Sequence, residues 1–140
     1  RLLGAVDPFE LAVRAVLGQQ VTVAAARTLV RRVVERFGRP VETPWPDDVS
    51  RVCPAPAALA RQPIERIAEL GIIRARAGAI LAIAGAWGEL APLVAHGGDP
   101  ARLVERLASL PGVGPWTAQY IAMRALGWPD AFPPGDVAAL

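Results

Sequence analysis

The stretch Leu110-Pro111-Gly112-Val113-Gly114-Pro115-Trp116-Thr117-Ala118-Gln119-Tyr120 decides the fold of this chain. A helical run ends near Ser109, the Pro-Gly-Val-Gly segment makes a tight turn, and Pro115 opens a second helix, where its missing N–H and fixed φ cost nothing. Two glycines let the backbone come close to a ligand. The amides of the turn and of the new helix N-terminus converge on one spot, and the helix dipole favours negative charge there. A phosphate fits without any basic side chain. A Gly-x-Gly between helices is in many proteins only a turn, so it is the longer pattern that carries weight.

Outward from this hairpin, expected over 101–127, helical signals dominate, and no alternating run is long enough for a strand pair. The reading is an all-α fold. Asp7, Pro8 and Glu10 form a capping box that starts a helix to about Leu17, and Gly18 breaks it. Thr22 caps a longer helix through about Phe37, with Val23, Ala26, Val30, Val33, Val34 and Phe37 as its apolar stripe and Gly38 as its end. Residues 39–55 hold four prolines and read as an ordered loop with one short helical turn at most. Short helices follow near Pro56–Ala60 and Pro63–Leu70, with Gly71 as a stop. Arg74 to Trp87 reads as one Ala-rich helix and the most buried of the domain. Asp99 caps and Pro100 starts the helix carrying Leu103, Val104 and Leu107 into the hairpin, whose second helix runs from Pro115 to about Leu126.

The 140 residues suffice for a single domain, 1–140, with a real core, and 53% of them are hydrophobic. No apolar run reaches the length of a membrane span and no signal-peptide pattern opens the chain, so a cytoplasmic protein without membrane contact is expected. The single Cys53 can form neither an internal disulfide nor a metal cluster and reads as inert filler. Net charge is +2, and all fifteen basic residues are Arg. The Arg, Ala and Pro bias fits a GC-rich genome, so the Arg count by itself says little about nucleic acid. His96 reads as a solvent-exposed loop residue, and Met123, Trp45, Trp87 and Trp128 as packing residues.

The run Leu-Pro-Gly-Val-Gly-x-Trp-Thr-Ala, with Asp136 twenty residues after Trp116, resembles the helix-hairpin-helix motif of DNA repair glycosylases in the helix-hairpin-helix GPD superfamily, AlkA-type 3-methyladenine branch. Asp7-Pro8-Phe9-Glu10 and Val16-Leu17-Gly18-Gln19-Gln20-Val21-Thr22 through Ala26 are similar to the opening of the same family's helical core. The resemblance implies the endonuclease III-like multi-helical fold, here the central part of a longer protein cut just after its catalytic Asp.

It also implies an activity: monofunctional excision of alkylated purines, of the 3-methyladenine and 7-methylguanine type, from double-stranded DNA in base-excision repair. Asp136, held in Pro133-Pro134-Gly135-Asp136, is then the carboxylate that stabilises an oxocarbenium-like sugar and activates water; the residues alone favour reading it as merely an N-cap, and the family spacing from Trp116 turns that reading towards catalysis. Trp116 and Tyr120, four apart on one helix face, are expected to form two adjacent panels of a wall on which a cationic base stacks, against the ordinary reading of core aromatics. Gly112, Val113, Gly114 and Thr117 are assigned to the DNA backbone. Gln19 and Gln20 match the family's wedge position, although a local turn explains them as well.

Trp116 stands where strand-cutting relatives carry a Schiff-base lysine, and the chain holds no lysine at all. Hydrolysis without strand scission is therefore expected. No cofactor is implied, although family members often hold a structural cation by carbonyls that fall here on Ala108, Leu110 and Val113. A monomer is expected, as part of a larger multidomain protein. The alternatives are a helix-hairpin-helix glycosylase for another damaged or mismatched base, and a module that only holds DNA; the second leaves Asp136 and the aromatic pair without a role.

Overall fold

The computed structural model describes residues 7–19, 21–40, 51–95 and 98–126, and among these the fold is helical apart from one two-residue strand pair. The elements run α1 Pro8–Leu17, α2 Val23–Phe37, β1 Arg39–Pro40, β2 Arg51–Val52, α3 Pro56–Ala60, α4 Ile64–Ala68, α5 Arg74–Gly85, α6 Trp87–Val94, α7 Pro100–Ala108 and α8 Pro115–Leu126. The strand pair is antiparallel, with Arg39 opposite Val52 and Pro40 opposite Arg51, and it closes the ends of the segment 41–50. That segment, which held the expected helical turn, lies outside the described residues, as do His96, Trp45 and Trp128.

The centre of the domain is α1. Six of its ten residues are buried, Phe9, Ala12, Val13, Ala15, Val16 and Leu17, because it packs against α2, α5 and α8 at once. The expectation that the Arg74 helix is the most buried is thus corrected: α5 buries Ala77, Ala79, Ile80, Ile83 and Ala84, five of twelve. Nor does that helix run through Trp87. It breaks at Ala86 (φ −94°, ψ 4°), and α6 leaves at 72° to α5. Gly85 weakens the helix at this point, and the bend turns Trp87 onto Phe9 in an edge-to-face contact with ring centroids 5.2 Å apart.

Two further local expectations are revised. Asp7 makes no side-chain cap; its carbonyl accepts the Leu11 N–H at 2.9 Å, and the carboxylate of Glu10 is taken by Arg14, one turn on, at 2.8 Å. A guanidinium at i+4 competes successfully for the carboxylate that a capping box needs. Val23 is 69% exposed, since the first turn of α2 overhangs the core and only Val30 and Val33 of the stripe are buried. Other signals match: Thr22 Oγ1 accepts from Ala25 N–H at 3.0 Å, and Gly71 ends the turn after α4 at φ 94°.

Candidate functional site

The hairpin α7–α8 is built from its caps inward. Asp99 Oδ1 accepts from the backbone N–H groups of Ala101 and Arg102 at 3.1 and 3.3 Å, satisfying donors the helix leaves open. Leu103 and Leu107 then face the core and are fully buried, while Leu110 and Val113 are the apolar pegs of the turn. Between the pegs the Leu110 N–H donates to Leu107 O at 3.0 Å and the Val113 N–H to Leu110 O at 3.2 Å.

The two glycines of this turn do different things. Gly112 sits at φ 81°, and a Cβ there would come within 3.0 Å of the Ala75 carbonyl oxygen and of Ala79 Cβ. Its missing Cβ lets the turn approach α5, while its backbone stays exposed on the other side. Around the place of a Gly114 Cβ nothing lies within 4 Å, so this is the side open to a partner. Ala118 N–H donates to Gly114 O at 3.0 Å, the first bond of α8. The amides of Trp116 and Thr117, just ahead of that donor, are among those a helix start leaves without an intrahelical partner.

Two residues assigned to DNA are buried, and a third is engaged by a hydrogen bond. Val113 is buried at 4% exposure and its N–H is already used inside the turn. Thr117 is 2% exposed, and its hydroxyl is met inside the protein. The Gln19 side chain, expected at the wedge position, donates its amide hydrogen to that hydroxyl. Gln20 and Asp136 lie outside the described residues.

Trp116 and Tyr120 are both half-buried and stack on one another, with centroids 5.2 Å apart and planes 7° from parallel. They form a column, not two side-by-side panels. The next member at the same helical spacing is Arg124, whose guanidinium lies over the Tyr120 ring, 5.7 Å from its centroid. Sequence reading missed Arg124, although the 116, 120, 124 spacing was its signal. Beside this column α1 and α8 enclose a cleft of about 270 Å³ lined by Glu10, Leu11, Arg14, Ala15, Tyr120 and Arg124.

Elsewhere, exposed carboxylates are held ionised by partners: Glu65 by its own backbone hydrogen bond and Arg74, Glu89 by the Arg106 guanidinium, each below the usual carboxylate range. Burial, with Glu10 and Asp7 nearby, pushes the Cys53 thiol up to about 12, in keeping with an inert side chain. No cluster of His, Cys, Asp and Glu suited to a metal ion exists among the described residues.

The chain is similar to known proteins along nearly its whole length. Residues 13–139 match the family described as HhH-GPD superfamily base excision DNA repair protein. The chain is 40% identical over 142 residues to a Mycobacterium tuberculosis protein named "Probable bifunctional transcriptional activator/DNA repair enzyme AlkA", covering 98% of this chain and 27% of that one. It is 37% identical over 137 residues to Escherichia coli DNA-3-methyladenine glycosylase 2, covering 97% of this chain and 47% of the relative. Among solved structures, a 3-methyladenine DNA-glycosylase from Archaeoglobus fulgidus superposes with a TM-score of 0.74 at 30% identity, over 86% of this chain and 40% of that one. The chain thus spans from about a quarter to about half the length of the relatives it matches.

Proposed function

Because this chain belongs to the HhH-GPD superfamily of base excision DNA repair proteins, we propose that it forms the helical core of a monofunctional glycosylase that removes alkylated purines from duplex DNA. The observation that carries the reading is the junction at the start of α8. There a backbone left open at Gly114 adjoins the Trp116–Tyr120 column. The open turn and the α8 amides take a phosphate of the strand. Trp116 offers its ring to a base turned out of the duplex.

A purine alkylated at N3 or N7 is cationic and leaves as a neutral base when the bond to C1′ breaks with both electrons going to the base. Asp136 stabilises the positive sugar that remains and takes a proton from the water that adds to C1′. The products are the free base, an abasic sugar with a hydroxyl on C1′, and one proton. Trp116 cannot form the imine that opens the sugar ring, so the strand stays whole.

Residues 1–140 are read as one domain acting on chromosomal DNA in the cytoplasm, as a monomer. A cation fits beneath the hairpin on chemical grounds: the Ala108 carbonyl lies in the last turn of α7, where helical partners are missing, and the Leu110 carbonyl, which already accepts Val113 N–H, has a second lone pair. Together with the Val113 carbonyl these oxygens would hold a hard cation that neutralises charge near a phosphate.

The deciding experiment measures release of 3-methyladenine and 7-methylguanine from methylated duplex DNA by the full-length protein and by Asp136→Asn. Release by the wild type and its loss in the variant are expected; equal release by both refutes the catalytic assignment. A strand-cleaved adduct trapped by borohydride would refute simple hydrolysis.

A further inference from the structure

Among the described residues one polar side chain is buried, that of Thr117 in the first turn of α8. Its partner is remote in sequence. The side-chain amide of Gln19, ninety-eight positions earlier in the turn between α1 and α2, donates to its hydroxyl. Gln19 is held on its own side too, since its backbone N–H reaches Val16 O at 3.4 Å. The other residues that α1 and α8 bury are all apolar, Phe9, Ala12, Val13, Ala15, Val16 and Leu17 in the one and Ala118, Ile121 and Ala122 in the other, and the two helices pack together. The attraction between such surfaces is not itself directional. A hydrogen bond to a buried hydroxyl is directional, and leaving that hydroxyl unmet carries its desolvation penalty in full.

We propose that Gln19 is a positioning residue which, through Thr117, fixes the rotation and depth of the first turn of α8 and so the place of the adjacent Trp116 ring. The turn after α1 and the α7–α8 hairpin then present one rigid edge to DNA, instead of two elements that adjust separately. This role rests on the proposed glycosylase reading for its purpose, but its geometry stands apart from it. A threonine that is merely satisfied would lose stability when Gln19 is removed and leave Trp116 where it is.

The test uses the full-length protein carrying 5-fluorotryptophan, with the Trp116 fluorine resonance assigned by its loss in Trp116→Phe. Gln19→Ala, Thr117→Val and the double variant should show the same displaced resonance, and Thr117→Ser the wild-type one. Single-turnover excision of 7-methylguanine should fall roughly five- to tenfold in each of the first three, the double no lower than either single, with duplex affinity changed less than about twofold. An unmoved Trp116 resonance, or losses that add in the double variant, overturns the proposal. If the wild type releases no base, the glycosylase reading fails, and the resonance still decides the positioning role.

Discussion

The Cβ that Gly112 lacks would lie 3.0 Å from the carbonyl oxygen of Ala75, so the hairpin turn rests directly on the first turn of α5. Backbone conformation and space act together there, because Gly112 also stands at φ 81°. Gly112→Ala should therefore destabilise the fold by about 1–3 kcal/mol, read as a lower urea midpoint with an unchanged slope. An unshifted midpoint would show that the turn does not bear on α5.

Gly114 should behave in the opposite way. With open space where its Cβ would be, Gly114→Leu should leave thermal stability within about 1 kcal/mol of wild type. It should weaken binding of a short duplex, since the bulk then stands between the α8 amides and a phosphate. Unchanged affinity in a fluorescence-anisotropy titration would remove Gly114 from the DNA-facing surface.

Trp116 is half-buried and holds one end of the aromatic column, with Tyr120 and then Arg124 behind it. Trp116→Ala should slow base release roughly tenfold to a hundredfold by loss of stacking, with Trp116→Phe nearer to wild type. The corresponding change behind the ring, Arg124→Gln, should be milder, at about 0.5–1 kcal/mol of stability. Both are read by single-turnover excision alongside thermal melting, and equal effects of the two changes on excision would contradict the order of the column.

Cys53, with its thiol pushed up to about 12 from 9.0 by burial, should resist alkylation at pH 8 in the native protein and react once urea unfolds it. The sign for stability follows. The thiol is neutral in both states below pH 9, and between 9 and 12 only the unfolded chain ionises, so stability is full below pH 9 and declines as pH rises towards 12. Cys53→Ala should flatten that alkaline decline; a decline of the same size in the variant would assign it to other groups.

At the acid end, Glu89 bound to Arg106 at 2.8 Å has its carboxyl lowered from 4.5, so its contribution is present above pH 4.5 and fades as pH falls through the lowered value. Both groups are exposed, and the effect is small. Glu89→Gln should remove it from the acid limb of a melting-temperature profile, and an unaltered limb would show the pair contributes nothing.

Much of this domain is written locally along the chain. Asp99, Pro100, Pro115 and Thr22 mark helix starts through capping and φ restriction, and those helices begin where the residues say. The Pro-Gly-Val-Gly turn and the family it resembles are legible for the same reason, since a tight turn constrains the residues that make it. The break at Ala86 was not legible, because the Ala-rich run before it continues a helix by propensity and the bend answers to Trp87 packing on Phe9, 78 positions away.

The roles within the site divide along the same line. Which residues gather at the start of α8 follows from order and spacing in the sequence, while which of their faces remain available follows from distant neighbours. The Cβ direction of Gly112 points at α5 while that of Gly114 is open, Thr117 is turned to Gln19, and Tyr120 lies between Trp116 and Arg124. Caps and turns are set by forces that act over three or four residues, whereas burial and hydrogen-bond partnership are set by whatever the folded chain brings alongside.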